Sequence, residues 1–309
     1  MDRIDAMKVF VVALDEGSLA GAGRKLGRSP AAVSRAIAFL EAHVGAELLH
    51  RTTRSIKLSE VGERYAASCR RVLTELEEAD IIAGGERAAP RGTLTLSAPT
   101  VSGELVLRPV LDAFLDAYPS ARLTLVDRAV NLIDEGVDVA LRIAELADSS
   151  MVATRIGEVR RVVVAAPRYL KQNPRIEEPG DLAKHQIITM AHIPNSWTFP
   201  PLPGSSVPRI VSLTPRLVTN SIRGAMASAV GGRGVALFYS YQVAEQVQKG
   251  ELEIVLGGHE PAALPVHVIT PQGRLAVPKV RAFIDFAVPR LRSHFARLEK
   301  DSGDHRRAD

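Results

Sequence analysis

The sequence predicts an α/β protein with an all-α N-terminal part, in which a winged helix-turn-helix precedes a long helix and a larger alternating region. Three observations carry this prediction: capped helical segments between residues 17 and 44, an apolar repeat between residues 59 and 87, and alternating strand and helix patterns after Gly92. Of the 309 residues, 46% are hydrophobic and 24% are charged, as in an ordinary globular chain with room for two or three domains.

Two short helices are predicted at the start of the chain. Ser18 can cap the first through its hydroxyl, and Gly27 can end it in the left-handed conformation. Ser29 offers a second cap, and Pro30 suits the first helical position because no hydrogen bond there needs an N–H. The second helix then carries one apolar stripe, formed by Val33, Ile37, Leu40 and Val44.

This pattern predicts a helix-turn-helix, whose second helix enters the major groove of DNA while its apolar stripe packs inward. Base contacts are therefore expected from the start and the outer face of the second helix, at Ser29, Pro30, Ala31, Ser34 and Arg35. Arg35 is the long donor on this face, and an arginine can bond to both acceptors of guanine.

A basic hairpin, or wing, is expected next, with phosphate contacts from Arg51, Thr52, Thr53 and Arg54. Between Arg24 and Lys57 there are seven cations and two anions, a local net charge of +5 in a chain whose total is +4. Such a concentration indicates a phosphate-binding surface. The alternative, a surface helical hairpin of some other domain with a solvated basic face, does not require such a concentration.

One long helix is predicted between residues 59 and 87, because apolar residues recur there every three or four positions in a heptad pattern. A narrow apolar stripe needs a partner, so a dimer interface is expected at Tyr65, Cys69, Val72 and Leu76. A two-fold dimer would bind a pseudo-palindromic DNA site. Packing against the same subunit is the alternative.

Residues 17–62 resemble the N-terminal domain of the LysR-type transcriptional regulators. The matching segments are Gly17-Ser18-Leu19-Ala20, Lys25-Leu26-Gly27, Ala32-Val33-Ser34-Arg35, Leu40-Glu41, His50-Arg51-Thr52-Thr53-Arg54 and Leu58-Ser59-Glu60-Val61-Gly62. Members usually have alanine at Gly21 and Gly23, so each glycine is expected to cost its helix about 0.5–1 kcal/mol. Pro30 stands where members often have glutamine, which leaves base recognition to Ser34, Arg35 and alanine contacts with thymine methyl groups.

Beyond Gly92, strands are expected at residues 93–97, 122–126, 137–143, 159–166, 210–213, 234–238, 252–256 and 266–270. Helices are expected at residues 105–118, 221–230, 240–248 and 280–291. The alternation predicts a doubly wound α/β sheet, and the apolar run from Val159 to Ala166 is typical of a strand buried in a parallel sheet.

The resemblance continues in Asp138-Val139-Ala140-Leu141-Arg142, Gly231-Gly232-Arg233-Gly234-Val235 and Gly250-Glu251-Leu252. It implies two α/β subdomains of periplasmic-binding-protein type with a small-molecule effector in the cleft between them. The implied organisation is a DNA-binding domain (1–58), a linker and dimerisation helix (59–87), subdomain I (92–160 with 267–295), subdomain II (161–266) and a polar tail (296–309).

Ligands of open α/β sheets bind beyond the carboxyl ends of strands, near helix N-termini. Thr100 and Ser102 follow the first strand, and Asn220 and Ser221 open a helix in the other subdomain. The expected effector-binding residues are Thr100, Ser102, Arg142, Trp197, Asn220 and Ser221. Helix capping is the alternative for Thr100 and Ser221, and core packing is the favoured alternative for Trp197.

Enzymatic function is not expected, so no catalytic residue, metal ligand or cofactor is predicted. No Gly-x-Ser-x-Gly motif occurs, four histidines (185, 192, 259 and 267) lack close paired spacing, and a single cysteine excludes a thiolate cluster. The glycine run from Gly231 to Gly234 precedes a strand, whereas a dinucleotide-binding loop would follow one. A small-molecule binding protein whose N-terminal helices only mediate assembly is a further rival, but it needs no basic wing.

The start of the chain has no signal-peptide pattern, and no apolar run reaches transmembrane length. The single Cys69 fits a reducing compartment and is interpreted as a small apolar helix residue rather than a redox sensor. The sequence therefore predicts a cytoplasmic transcriptional regulator. Its expected partners are double-stranded DNA at a pseudo-palindromic promoter site, a small-molecule effector and further copies of itself as a homodimer or homotetramer, and no membrane.

Overall fold

The computed structural model describes residues 2–51, 56–83, 90, 92–128, 130–133, 135–146 and 151–303. The chain divides into two compact units, an N-terminal unit (residues 1–88) and a C-terminal unit (residues 89–309). Among the described helices, none combines the length and apolar composition needed to cross a membrane.

The N-terminal unit consists of helices and a two-stranded hairpin. Its elements are α1 (Arg3–Asp15), α2 (Leu19–Leu26), α3 (Pro30–Val44), β1 (Leu49–Arg51), β2 (Ile56–Leu58) and α4 (Glu60–Ala83). The sequence does not predict α1, because its run from Val9 to Leu14 is apolar throughout and shows no helical stripe. The expected end of the long helix at Gly84 and Gly85 lies outside the described residues.

Both predicted helix starts are confirmed. The Ser18 hydroxyl accepts a hydrogen bond of 3.0 Å from the backbone N–H three residues later, and Gly27 ends α2 with φ at 64°. The Ser29 hydroxyl caps α3 in the same way at 3.2 Å, and Pro30 occupies the first turn. The predicted stripe of α3 is buried with α1 and α2 in one core. Local capping and the stripe together hold α2 and α3 as a helix-turn-helix.

Two helical glycines occupy positions where a larger residue would collide. A Cβ atom at Gly23 would lie 2.6 Å from the carbonyl oxygen of Arg28, and one at Gly21 would lie 2.8 Å from the Ser18 hydroxyl oxygen. The expected advantage of alanine at these positions therefore does not apply here, since alanine would force α2 or its flanking turns to shift.

The C-terminal unit contains two five-stranded sheets and a separate hairpin, with strand orders β4-β3-β5-β14-β6, β11-β8-β12-β7-β13 and β10-β9. The strands are β3 (Gly92–Ser97), β4 (Ala121–Val126), β5 (Val139–Ile143), β6 (Met151–Val159), β7 (Arg161–Ala165), β8 (Ile187–Met190), β9 (Ser196–Phe199), β10 (Arg209–Ser212), β11 (Pro215–Thr219), β12 (Val235–Tyr239), β13 (Glu253–Val255) and β14 (Leu264–Pro271). The helices are α5 (Thr100–Ser102), α6 (Arg108–Ala117), α7 (Pro167–Gln172), α8 (Ile222–Val230), α9 (Ser240–Gln248) and α10 (Pro278–Gly303).

The predicted two-subdomain α/β architecture is confirmed. We call the first sheet with α5, α6 and α10 subdomain I, and the second sheet with α7, α8 and α9 subdomain II. The chain passes from subdomain I to subdomain II at Arg160, between β6 and β7, and returns between β13 and β14. The returning strand begins at Leu264, three residues before the expected position 267.

The predicted parallel strand from Val159 to Ala166 is wrong. β6 ends at Val159, and β7 begins at Arg161 and pairs antiparallel with both β12 and β13. Alternate residues of β7 enter the apolar clusters on opposite faces of the sheet. Burial on both faces, rather than parallel pairing, therefore explains the continuous apolar run.

The helix expected from Leu105 begins earlier. Helical structure starts at Thr100, directly after Pro99, and continues through a π-helical turn (Gly103–Leu107) into α6. Thr100 is therefore the first residue of a helix and does not lie in a loop. The sequence also misses β6, β8 and β9, because the burial of β6 does not alternate regularly and β8 and β9 are only four residues long.

Gly62 in α4 provides a test of the packing between α4 and the hairpin. A Cβ atom there would lie 2.0 Å from the carbonyl oxygen of Leu48, so we expect Gly62→Ala to lower the free energy of unfolding by about 1–3 kcal/mol. Gly257→Ala is the control, because no atom lies within 4 Å of its Cβ position. Urea unfolding followed by circular dichroism measures both, and equal midpoints for the two variants would contradict the packing.

Candidate DNA-binding surface and ligand cleft

The outer face of α3 is exposed along its first half. Ser29, Pro30 and Ala31 are exposed, and Ser34 is half-buried. Arg35 is exposed, and its side chain forms no hydrogen bond or ion pair with any other described residue. Its guanidinium is therefore available to an acceptor outside the unit, as base recognition requires.

Two neighbouring cations are already paired within the unit. Arg28 forms a bidentate ion pair with Asp5 of α1, at 2.7 and 2.9 Å, and Lys25 contacts Glu16 at 2.8 Å. The bond from Arg28 lowers the pKa of the Asp5 carboxyl group. The local charge of +5 expected from residues 24–57 is thus partly compensated by acids outside that window, Asp5 and Glu16.

The wing is a hairpin in which β1 pairs antiparallel with β2. Arg51 ends β1 opposite Ile56, and Lys57 of β2 is exposed. Thr52, Thr53 and Arg54 lie outside the described residues, so their phosphate contacts stay predictions.

The residues predicted to form a dimer interface on α4 divide into two groups. The ring of Tyr65 lies 6.2 Å from that of Phe10, and Cys69 is only 1% exposed within the core of its own unit. This burial raises the pKa of the Cys69 thiol, which disfavours the reactive thiolate. In contrast, Val72 is 42% exposed and Leu76 is half-buried. Tyr65 and Cys69 therefore pack against their own subunit, which was the alternative interpretation. Val72 and Leu76 leave apolar surface for a partner.

Thr100 and Arg142 both contact the loop that follows β4. The Thr100 hydroxyl donates to the carbonyl oxygen of Asp127 at 2.9 Å, and Arg142 Nη2 donates to that of Val130 at 3.1 Å. Arg142 Nη1 also donates to the Ser97 hydroxyl at 3.2 Å. Ser97 was not among the predicted residues, although its place at the end of β3 could have indicated a role at this edge.

Arg142 is half-buried and forms no ion pair within the described residues. Burial lowers the pKa of its guanidinium, because the charged form loses hydration that the neighbouring carbonyl and hydroxyl groups replace only in part. A cation held in this way attracts an anion, and Arg142 lies at the edge of the sheet where ligands of such folds bind.

Ser102 has a different environment from Thr100. Its side chain is fully buried, and its hydroxyl is hydrogen-bonded at 2.7 Å to the hydroxyl of Tyr241 on α9 of subdomain II. No sequence signal connects these two residues, which lie 139 positions apart. Ser102 thus joins the subdomains, and its contact with an effector stays a prediction.

Asn220 and Ser221 are exposed at the start of α8, where the Ser221 hydroxyl caps the helix by accepting a 3.1 Å hydrogen bond from the N–H of Gly224. The same end of α8 approaches subdomain I, because Arg223 Nε donates to Glu104 Oε2 at 3.2 Å. The beginning of α8 therefore lies close to the π-helical turn that follows α5, across the subdomain boundary.

Trp197 lies in the core of subdomain II, as its favoured alternative interpretation states. It is 3% exposed and packs in one cluster with Phe199 and Leu256.

Among the residues that the structure describes, no three His, Cys, Asp or Glu side chains form a group that could hold a metal ion.

Comparison with known proteins finds family matches for both the N-terminal and the C-terminal unit. The family model described as the LysR substrate binding domain matches residues 87–292, and that of the bacterial regulatory helix-turn-helix protein, lysR family, matches residues 4–63. An HTH-type transcriptional regulator of Xanthomonas campestris is 34% identical over 288 residues, covering 92% of this chain and 84% of the relative. The transcriptional activator AaeR of Escherichia coli is 31% identical over 271 residues, which cover 87% of each chain. The structure of CrgA, a LysR-type regulator from Neisseria meningitidis, superposes with a TM-score of 0.60 at 28% identity, covering 93% of this chain and 98% of that chain.

The unpaired Arg35 side chain leads to a prediction about base recognition. We expect Arg35→Ala to weaken binding to a specific duplex by about 1–3 kcal/mol more than binding to a scrambled duplex, because only the base contact is sequence-dependent. Gel-shift titrations at one salt concentration measure both affinities. Arg108→Ala, an exposed arginine of α6, is the control. Equal losses on the two duplexes would show that Arg35 contacts only phosphate.

Proposed function

Because the chain belongs to the family of LysR-type transcriptional regulators, we propose that it binds a pseudo-palindromic promoter site as a homodimer or homotetramer in the cytoplasm and responds to a small anionic effector. Members of this family are DNA-binding regulators, not enzymes. They bind DNA through the helix-turn-helix and small molecules through the C-terminal domain, and they form oligomers.

The observation that carries the DNA-binding proposal is the unpaired, exposed Arg35 on the outer face of α3. Arg28 and Lys25 are neutralised by acids of the same unit, whereas Arg35 has no such partner. The proposed contacts are Ser34 and Arg35 with bases, and Arg51, Thr52, Thr53 and Arg54 with phosphates. Ser29, Pro30 and Ala31 would approach the groove at the start of α3.

Chromatin precipitation with sequencing tests this proposal on the full chain. The expected result is a set of promoter peaks that share an inverted repeat, whose half-sites reflect the two-fold symmetry of the protein. Peaks without a shared repeat, or peaks that persist when Arg35 is replaced by Ala, would contradict it.

Exposed apolar surface supports the proposed oligomer. Val72 and Leu76 continue the apolar stripe of α4 beyond the residues that its own unit buries. Leu125 on β4 and Val218 on β11 are also exposed, and these strands form the outer edges of the two sheets. Isologous association would cover such surface in pairs.

We expect Leu76→Glu to disrupt this assembly, because a carboxylate would be buried against its symmetry mate. Analytical ultracentrifugation should show a smaller or rearranged species. Ala67→Glu is the matched control, since Ala67 is exposed about 180° around α4 from Leu76. An unchanged assembly with Leu76→Glu would mean that this part of α4 packs elsewhere.

The proposed effector site lies at the boundary between the subdomains. Arg142 and Thr100 would hold an anionic group from subdomain I, and Asn220 and Ser221 would approach from the start of α8. The half-buried charge of Arg142, without a carboxylate partner among the described residues, supports an anionic ligand. Ser102 completes the predicted set at this boundary, whereas Trp197 belongs to the core of subdomain II. Ligand binding would bias the angle between the subdomains and thereby the spacing of the DNA-binding units.

A thermal-shift screen of metabolite anions tests the effector site. A ligand at one hundred times its dissociation constant stabilises the protein by about 2.7 kcal/mol, a shift of roughly 5–10 °C. We expect Arg142→Gln to remove most of this shift, whereas Arg122→Gln, an exposed arginine of β4, should retain it. If Arg142→Gln retains the full shift, the ligand binds elsewhere.

A further inference from the structure

A cavity of about 170 Å³ lies inside subdomain II, between the β9–β10 hairpin and the second sheet. Its lining residues all fall between positions 161 and 261, so it is separate from the edge of subdomain I that carries Thr100 and Arg142. Much of its wall is apolar, formed by Val163, Ile193, Phe199, Leu237 and Leu256.

Two residues that line this cavity each carry a buried N–H donor without an acceptor, the indole Nε1 of Trp197 and the Nε of Arg161. Both nitrogens are inaccessible to solvent, so they lie just behind the cavity surface. The side chain of Arg161 forms no hydrogen bond or ion pair with any other described residue. Leaving a buried donor without a partner is costly, so a small side-chain rotation that brings these donors to an acceptor in the cavity would be favourable.

The charges around the cavity favour an anion as this acceptor. Glu260 is the one carboxylate among the lining residues, and it is already held by Arg160 at 2.6 and 2.7 Å. The imidazole of His259, which also lines the cavity, is engaged with Arg209 Nη2 at 3.0 Å. Among the described lining residues, no carboxylate is therefore left to compensate the positive charge of Arg161.

We propose that this cavity binds a small monocarboxylate with an apolar body. The carboxylate oxygens would accept hydrogen bonds from Arg161 and from the indole N–H of Trp197, and the hydrocarbon part would pack against Val163 and Phe199. A buried water needs only about 10–15 Å³, so the cavity exceeds the space of one bridging water roughly tenfold. The ligand would lie beside Arg160 and Glu260, where the chain crosses between the subdomains.

Tryptophan fluorescence provides a direct test, because Trp197 is the single tryptophan of the chain. The full-length protein is titrated with pentanoate and benzoate, with the neutral isostere pentanamide, and with acetate, which lacks the apolar body. Pentanoate or benzoate should change the emission saturably. Pentanamide and acetate should bind at least about tenfold more weakly, because each lacks one of the two complementary features.

Arg161→Gln removes the charge without breaking a contact in the unliganded protein. We expect it to weaken carboxylate binding roughly 10- to 100-fold. Arg216→Gln, an exposed arginine of β11 in the same subdomain, should bind as the wild type does.

Absence of a saturable response to either carboxylate would overturn the proposal and leave the cavity to water. Equal affinities of wild type and Arg161→Gln would overturn it as well. Neither result bears on DNA binding, on which this inference does not depend.

Discussion

The connection between the two subdomains of the C-terminal unit depends on a buried ion pair between Arg160 and Glu260. Arg160 lies where the chain leaves the first sheet, and Glu260 lies on the segment that returns to it. Arg160 Nη1 contacts both carboxylate oxygens, at 2.6 and 2.7 Å, and the Glu260 side chain is only 7% exposed. Removing one partner of such a pair costs about 3–5 kcal/mol, because the other charge stays buried without compensation. The pair therefore ties together the two chain segments that cross between the subdomains, and we call this point the pivot.

Local features of this chain could be predicted from sequence, and non-local contacts could not. The caps at Ser18 and Ser29 depend on residues within three positions, so the sequence contains all that determines them. The bond between Ser102 and Tyr241 depends on how two subdomains pack, and no local pattern records it. For the same reason the charge of residues 24–57 was predictable, but its partial neutralisation through Asp5 of α1 was not.

The α4 stripe shows why periodicity alone does not identify a partner. A heptad pattern indicates which residues share a face of the helix. Tertiary structure determines which surface packs against that face. Cys69 is covered by the core of its own unit, whereas Val72, three residues later, is 42% exposed. One continuous stripe can thus serve the folding of a domain at one end and association at the other.

Contacts away from the pivot limit how a ligand can act. The buried bond between Ser102 and Tyr241, and the ion pair of Glu104 with Arg223, both join the subdomains. Opening the boundary would break them, and a buried hydroxyl left unpaired costs about 1–3 kcal/mol. A ligand shifts a two-state equilibrium only by its difference in affinity for the two states. An effector at this boundary must therefore either preserve these contacts during a small rotation about Arg160 or offset their loss through contacts of its own.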